Sequence, residues 1–396
     1  MTTTDTEPMA YPFNEAASLR LSDRYDELRG QDGLARVRLP YGEAAWLVTR
    51  YADARLVLGD SRFSRAESAR HDEPRQSQGR LTGGLLSMDP PEHARLRTLV
   101  AKAFTVRRVE KLRPDVRTLA ENLLRDMIET GPPADLVDDF ALPLPVGVIC
   151  RLLGVPEADR PRFRVWSDNA LSTSSLTAEE FEASREELRG YMAELIARHR
   201  AHPADDLMTA LIEARDERDR LSELELVDLC VGILVAGHET TASQIPNFLS
   251  VLLDHPGQFT RLREDPALVT SAVEELLRFV PLGVAAGQPR YATEDIEVGG
   301  TLVRAGDPVL VAIGAANRDA LRFDASGTLD ITRANNSHLG FGHGVHHCLG
   351  APLARVELQE ALRALLRLLP GIRLAGDIDW KTAMLVRGPR SMPVRW

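Results

Sequence analysis

One helical pattern, Ser222 to Asp254, constrains this chain more than any other feature: it is the longest such run in the sequence. Ser222 stands at the N-cap and Glu225 at the capping-box position three residues later. Midway, Ala236-Gly237-His238-Glu239-Thr240-Thr241 breaks the local rules. A mid-helix glycine costs about 1 kcal/mol relative to alanine, and Glu239 follows the apolar run Ile233-Leu234-Val235-Ala236. Ala236 and Thr240 are four apart and share a face. The missing side chain at Gly237 leaves room for a small ligand. The Thr240 hydroxyl can donate to that ligand or bond back to its own helix. A plain Glu-Thr pair on the wet side of an amphipathic helix is the competing reading.

Other helical patterns surround this one. Pro90 opens a helix to about Phe104, a short turn at Val106–Leu112 leads to another over Pro114–Thr130, and Gly131-Pro132-Pro133 stops it. Helices are predicted at Pro145–Leu153, Glu157–Leu171, Glu179–His202, Pro266–Val280 and Leu349–Leu369. Strand-like alternation appears at Ala35–Val48, Ala292–Val298, Thr301–Arg304 and Val309–Ile313. The polar stretch Ser61–Met88 reads as a long loop of the kind that carries function. The fold class is mainly α with a small β portion. The distant β segments are expected to join, making residues 1–396 one interleaved domain whose residues 1–12 are a flexible terminus.

Net charge is −10, which argues against a general nucleic-acid binder. The longest apolar run, Leu229–Gly237, is too short to span a bilayer, and Met1–Pro12 lacks the features of a signal peptide. Three cysteines, Cys150, Cys230 and Cys348, offer no disulfide framework. These features predict a soluble cytoplasmic protein with no membrane partner.

Phe341-Gly-His-Gly-Val-His-His-Cys-Leu-Gly350 places Cys348 at the end of a glycine-punctuated loop, just before a helix. Backbone N–H groups and the helix dipole there favour a thiolate. Four readings compete: a small buried hydrophobe, a nucleophile oriented by His343, His346 or His347, a zinc ligand short of cysteine partners, and a haem thiolate.

The run Phe341-x-x-Gly344-x-His346-x-Cys348-x-Gly350 resembles the haem-binding signature of the cytochrome P450 family. The resemblance implies the P450 fold, haem b with Cys348 as axial ligand, Phe341 beside the sulfur, Gly342 in the tight ligand loop and His346 on a haem propionate. Ala236-Gly237-x-Glu239-Thr240 resembles the family's oxygen-activation motif, so the long helix would lie over the haem with Glu239 and Thr240 relaying protons to dioxygen. Glu275-Leu-Leu-Arg278 resembles the structural Glu-x-x-Arg pair, and Asn317-Arg318-Asp319 and Arg333 resemble parts of the meander, although Phe323–Thr328 departs from the usual proline-containing turn. Met88-Asp-Pro-Pro-Glu-His93-x-Arg95-x-Arg97 resembles the propionate-binding helix, with Arg290 as a further carboxylate partner.

The resemblance covers nearly the whole chain and is nearest in style to soluble actinobacterial members of macrolide and polyketide pathways. It implies a monooxygenase that hydroxylates or epoxidises a bulky hydrophobic natural product. No flavin domain is fused, so electrons would come from a small ferredoxin (2Fe–2S or similar) and an NAD(P)H-dependent reductase. Docking is expected on the basic stretch Lys102, Arg107, Arg108, Lys111 and Arg113, with the protein a monomer. Substrate walls are expected around Leu81–Met88 (Leu85, Leu86), at Ala170–Thr177, after the Glu-x-x-Arg helix (Val284, Ala285), at Met384-Leu385-Val386, and at Val235 on the long helix. A peroxygenase or oxidative coupling enzyme, and a non-catalytic haem protein, are the alternatives.

Overall fold

The computed structural model describes residues 7–80, 83–102, 104–173, 176–204, 206–216 and 221–396. Its helices are α1 (Arg24–Arg29), α2 (Tyr51–Gly59), α3 (Glu92–Ala101), α4 (Val106–Thr130), α5 (Pro143–Leu152), α6 (Arg160–Leu171), α7 (Ala178–Ala201), α8 (Leu207–Asp216), α9 (Glu223–Asp254), α10 (Pro256–Glu264), α11 (Val269–Phe279), α12 (Ile313–Ala316) and α13 (Ala351–Leu368).

The capping box of α9 forms: the Glu225 N–H donates to Ser222 Oγ at 3.1 Å and the Ser222 N–H to Glu225 Oε2 at 2.7 Å. From Thr241 to Leu252 every residue of α9 is buried. A helix apolar nearly all round must be wrapped by others, and α5, α7, α8, α10 and α13 pack against it. The principal core also runs between α4 and α13, where Val116, Ala120 and Leu124 meet Val356, Ala361 and Leu365.

Two expectations about boundaries are corrected. Val106–Thr130 is one helix, not a turn and a helix. Pro114 lacks only one donor, and the continuous apolar stripe Val109, Val116, Ala120, Leu124 and Met127 is buried on both sides of it. Residues 9–12 are not a loose terminus either. Met9–Ala10 is a strand parallel to Val37–Arg38, and Tyr11 is buried, its hydroxyl accepting from the Ala286 N–H at 2.7 Å. Residues 1–6 lie outside the described residues.

The distant β segments meet in one six-stranded sheet: Met9–Ala10, Ala35–Arg38, Ala45–Val48, Pro308–Val311, Arg290–Ala292, Phe63–Ser64 in spatial order. Its joint is a parallel pairing of Trp46 with Val309 and Val48 with Val311. The last strand comes from the stretch Ser61–Met88, which also contains helical turns at Ala66–Arg70 and Leu85–Ser87. This sheet fixes Arg290 in space beside the Cys348 loop.

Candidate active site

The loop before α13 is closed by its own backbone. The Cys348 N–H donates to the Phe341 carbonyl at 2.8 Å, and the Gly342 N–H to Leu339 at 2.8 Å. Gly342 and Gly344 hold φ of +74° and +72°, a region that favours glycine. A Cβ at Gly344 would also lie 2.3 Å from the Leu58 carbonyl oxygen.

Cys348 is exposed, although neighbouring protein crowds its thiol. Burial raises its pKa above the ordinary thiol value. The N–H groups of Gly350 and Ala351 and the charges of Arg97 and Arg355 oppose that rise without reversing it. The helix start thus lowers the thiol's pKa without outweighing burial, and a metal cation at the sulfur would add to the same side of that balance. No imidazole hydrogen-bonds the sulfur among the described residues, which leaves a nucleophile without its base. The Phe341 ring lies 4.6 Å from the Arg355 guanidinium.

Beside this loop sits a cluster of basic side chains, two imidazoles and several guanidiniums. His93 on α3 is buried, with its ring centre 4.4 Å from that of His346. The Nε2 atoms of both are buried and without a partner among the described residues. Arg290 is buried and makes no side-chain hydrogen bond among the described residues. Burial pushes its pKa down to about 10. Burial, then the charges of Arg290, His93 and Arg65, brings His346 down to about 3, so its ring is neutral near pH 7. Arg97 donates to the His347 carbonyl. Arg65 is a member the sequence reading missed, because it lies in the patternless stretch Ser61–Met88. It donates to the carbonyls of Leu86 and Pro289 and to Gln288.

On α9, Ala236 is exposed and Thr240 half-buried, although both lie mid-helix. Thr240 Oγ1 donates to the Ala236 carbonyl at 3.1 Å. Gly237 does not make ligand space: a Cβ there would come 2.8 Å from Ile149 Cδ1, so the glycine lets α5 approach. Glu239 is not on a wet face. It is buried, accepting from Ser243 Oγ at 3.3 Å and from Lys381 Nζ. Lys381 carried no sequence signal.

The cytochrome P450 family profile matches residues 162–369. Mycinamicin IV hydroxylase/epoxidase of Micromonospora griseorubida is 56% identical over 396 residues, 99% of this chain and 100% of that protein. The chain is a cytochrome P450. Nocardicin C N-oxygenase of Nocardia uniformis subsp. tsuyamanensis is 49% identical over 401 residues, covering 100% of both chains. A solved structure of a mutant of the mixed-function P450 MycG in complex with mycinamicin IV superposes with a TM-score of 0.92 at 56% identity, covering 98% of this chain and 100% of that one.

A P450 is a haem monooxygenase, and the residues present fit that group. Two orphaned imidazole nitrogens and a buried guanidinium suit the carboxylates of a porphyrin, and the exposed thiol of Cys348 suits its iron.

This P450 braces the same region through Glu275 and Arg278, both fully buried on α11. Arg278 Nε and Nη2 donate to the two Glu275 oxygens at 2.8 Å each. Arg333, Asn336 and the Asp330 N–H complete the Glu275 carboxylate. Free Arg278 protons bind the carbonyls of Asn317, Ser326 and Thr328. The turn without proline is thus wound around a guanidinium, with Ala325 at φ +47°, a conformation costing about 1–2 kcal/mol.

Three of the expected wall segments are sewn together. The Leu385 N–H donates to Leu171 at 2.9 Å, the Thr173 N–H to Ala383 at 2.9 Å, and the Val284 N–H to Leu385 at 3.3 Å. Val284 and Met384 are buried; Val235, Ala285, Leu385 and Leu85 are half-buried; Leu86 is exposed. Leu81, Thr82, Ser174 and Ser175 lie outside the described residues. No helix among the described residues is long and apolar enough to cross a membrane.

Proposed function

We propose that this P450 hydroxylates or epoxidises a bulky hydrophobic natural product of the macrolide or wider polyketide class. The observation that carries the substrate class is the 56% identity to mycinamicin IV hydroxylase/epoxidase along the whole chain. The wall built from Val235, Val284, Ala285, Met384 and Leu385 agrees with it, being aliphatic throughout.

Cys348 Sγ would hold the iron, His93 and His346 would offer Nε2–H donors to the propionates, and Arg97 and Arg290 would supply charge. When bound, the haem supplies dioxygen activation, and its thiolate ligand favours O–O cleavage. Thr240 Oγ1 holds a proton at the edge of the cleft beside Ala236, and Glu239 resupplies it, which is general acid work. Glu275 and Arg278 keep the Cys348 side rigid.

Electrons come from a ferredoxin and an NAD(P)H-dependent reductase. Lys102, just after α3, and Arg107, Arg108 and Lys111 on α4 are exposed and suit an acidic partner. Arg113 does not belong to that surface, since Glu110 and Glu360 bind it at 2.7 Å each. In this reading the protein works as a cytoplasmic monomer.

Turnover of mycinamicin IV under labelled dioxygen tests the reading. One labelled oxygen atom in a hydroxylated or epoxidised product is expected. A product without label overturns it in favour of peroxygenase or coupling chemistry.

A further inference from the structure

Arg355 lies early in α13, the helix that Cys348 precedes, and its guanidinium sits over Phe341. Phe341 is the residue whose carbonyl accepts from the Cys348 N–H. A cation over an aromatic face is held only weakly where water can reach it. The Arg355 side chain is 33% exposed, so without another partner it would turn toward water. Glu274 of α11 supplies that partner. Arg355 Nε donates to Glu274 Oε1 at 2.7 Å and Nη2 to Oε2 at 2.9 Å, a two-pronged bond that sets the plane of the guanidinium.

Glu274 is itself held in place. Buried His338 donates from Nε2 to Glu274 Oε2 at 3.1 Å, while its Nδ1 accepts from the Gly340 N–H at 3.0 Å. A neutral imidazole with its proton on Nε2 satisfies both bonds. A side chain at Gly340 would open this turn, because a Cβ there would come 2.9 Å from the Leu277 carbonyl oxygen of α11. The helix α11, the turn before Phe341 and the helix α13 are thus tied at one carboxylate. Neither the propionate cluster nor the Glu275–Arg278 brace uses these bonds.

When the P450 is reduced, one electron leaves the ferredoxin, which is oxidised, and enters the iron–cysteine unit, which is reduced. The charge of that unit becomes more negative by one, so a fixed cation nearby favours the reduced side. Arg355 is among the charges that act on Cys348. We propose that Glu274 is a positioning residue for electron transfer: it holds the Arg355 cation over Phe341, where that charge favours reduction of the haem bound at Cys348. This inference rests on Cys348 as the haem ligand and not on the substrate class.

The test is a dye-equilibrated redox titration of the substrate-free, full-length holoprotein in the absence of ferredoxin. It compares the parent with Arg355→Leu, Arg355→Lys, Glu274→Gln and the double variant Glu274→Gln/Arg355→Leu. The carbon-monoxide spectrum of each verifies that thiolate ligation is kept. Arg355→Leu is expected to lower the ferrous-to-ferric ratio at a given poise by about 10-fold, which is about 59 mV for one electron. Arg355→Lys keeps the charge without the planar fork and should recover part of that loss. Glu274→Gln decides between charge and position, and it does so even where Arg355→Leu fails to retain haem. Removing an anion would, by charge alone, raise the ratio, whereas releasing Arg355 toward water should lower it by about 3-fold. The double variant should lie no lower than Arg355→Leu, since without the guanidinium Glu274 has nothing to place. An unchanged potential in Arg355→Leu overturns the proposal, and slower reduction by ferredoxin in that variant would then make Arg355 a docking contact only. A raised potential in Glu274→Gln, or an additive fall in the double variant, overturns the positioning role. A parent without the thiolate band fails the haem reading instead.

Discussion

The imidazoles of His93 and His346 lie 4.4 Å apart between ring centres, inclined by 51°, and each leaves a buried Nε2 without a partner among the described residues. Two neutral rings from distant parts of the chain thus present donors to one place, with Arg290 supplying the charge. A hydrogen bond to a charged group contributes about 1.5–3 kcal/mol. His346→Phe or His93→Phe should therefore weaken haem retention by about 10- to 100-fold, read as haem released to an apo-globin acceptor, while the far-ultraviolet spectrum of the protein stays unchanged.

The Glu275–Arg278 pair makes a prediction about stability. Both side chains are fully buried and each satisfies backbone or side-chain groups of the segment 317–336. Removing one partner of such a pair costs about 3–5 kcal/mol, because a buried charge is left behind. Arg278→Leu should lower the urea midpoint accordingly or abolish accumulation of folded holoprotein. The double variant Glu275→Leu/Arg278→Leu should be less damaging than the sum of the two single variants.

Glu274, the neighbour of that pair, supplies a pH dependence. Burial alone would raise its carboxyl, but hydrogen bonds from His338 and Arg355 outweigh burial and hold it down at about 2, against an ordinary value of 4.5. The unfolded chain then binds more protons than the folded one between those values. The stabilisation is complete above about pH 4.5 and is lost as pH falls toward 2, amounting to at most about 3 kcal/mol because one side remains wet. Urea midpoints measured from pH 5 down to pH 3 should fall less steeply in Glu274→Gln than in the parent.

Thr240 carries the prediction closest to the chemistry. Among the described residues its hydroxyl bonds the Ala236 carbonyl alone, one helical turn back, and it sits beside the exposed alanine of that turn. Thr240→Ala should keep haem binding and macrolide affinity while product per NADPH falls by about 100-fold and peroxide release rises. Unchanged coupling would remove Thr240 from the relay.

These residues also show how far the sequence could be read. The tight loop before Cys348 was legible because such a loop needs glycines at fixed spacing, and Gly342 and Gly344 hold positive φ. The capping box at Ser222 and Glu225 was legible because it is a contact three residues apart. Gly237 misled because a missing side chain serves a neighbouring helix as readily as a ligand, and only the position of Ile149 distinguishes the two. Arg65 and Lys381 were invisible for a related reason. Each acts on residues far away in sequence, 142 positions for Lys381 and Glu239, and neither sits in a local pattern. Pro114 was read as the start of a helix after a turn because propensity is local, whereas the burial of Val109 and Val116 on either side of it is not.

The account stands on Cys348 holding haem iron through sulfur. The absorption spectrum of the dithionite-reduced, carbon-monoxide-bound protein tests this most directly. The parent should show the strongly red-shifted band of a thiolate-ligated haem, and Cys348→His should bind haem without that band. A parent lacking the band, or a Cys348→His variant that keeps it, would contradict the assignment.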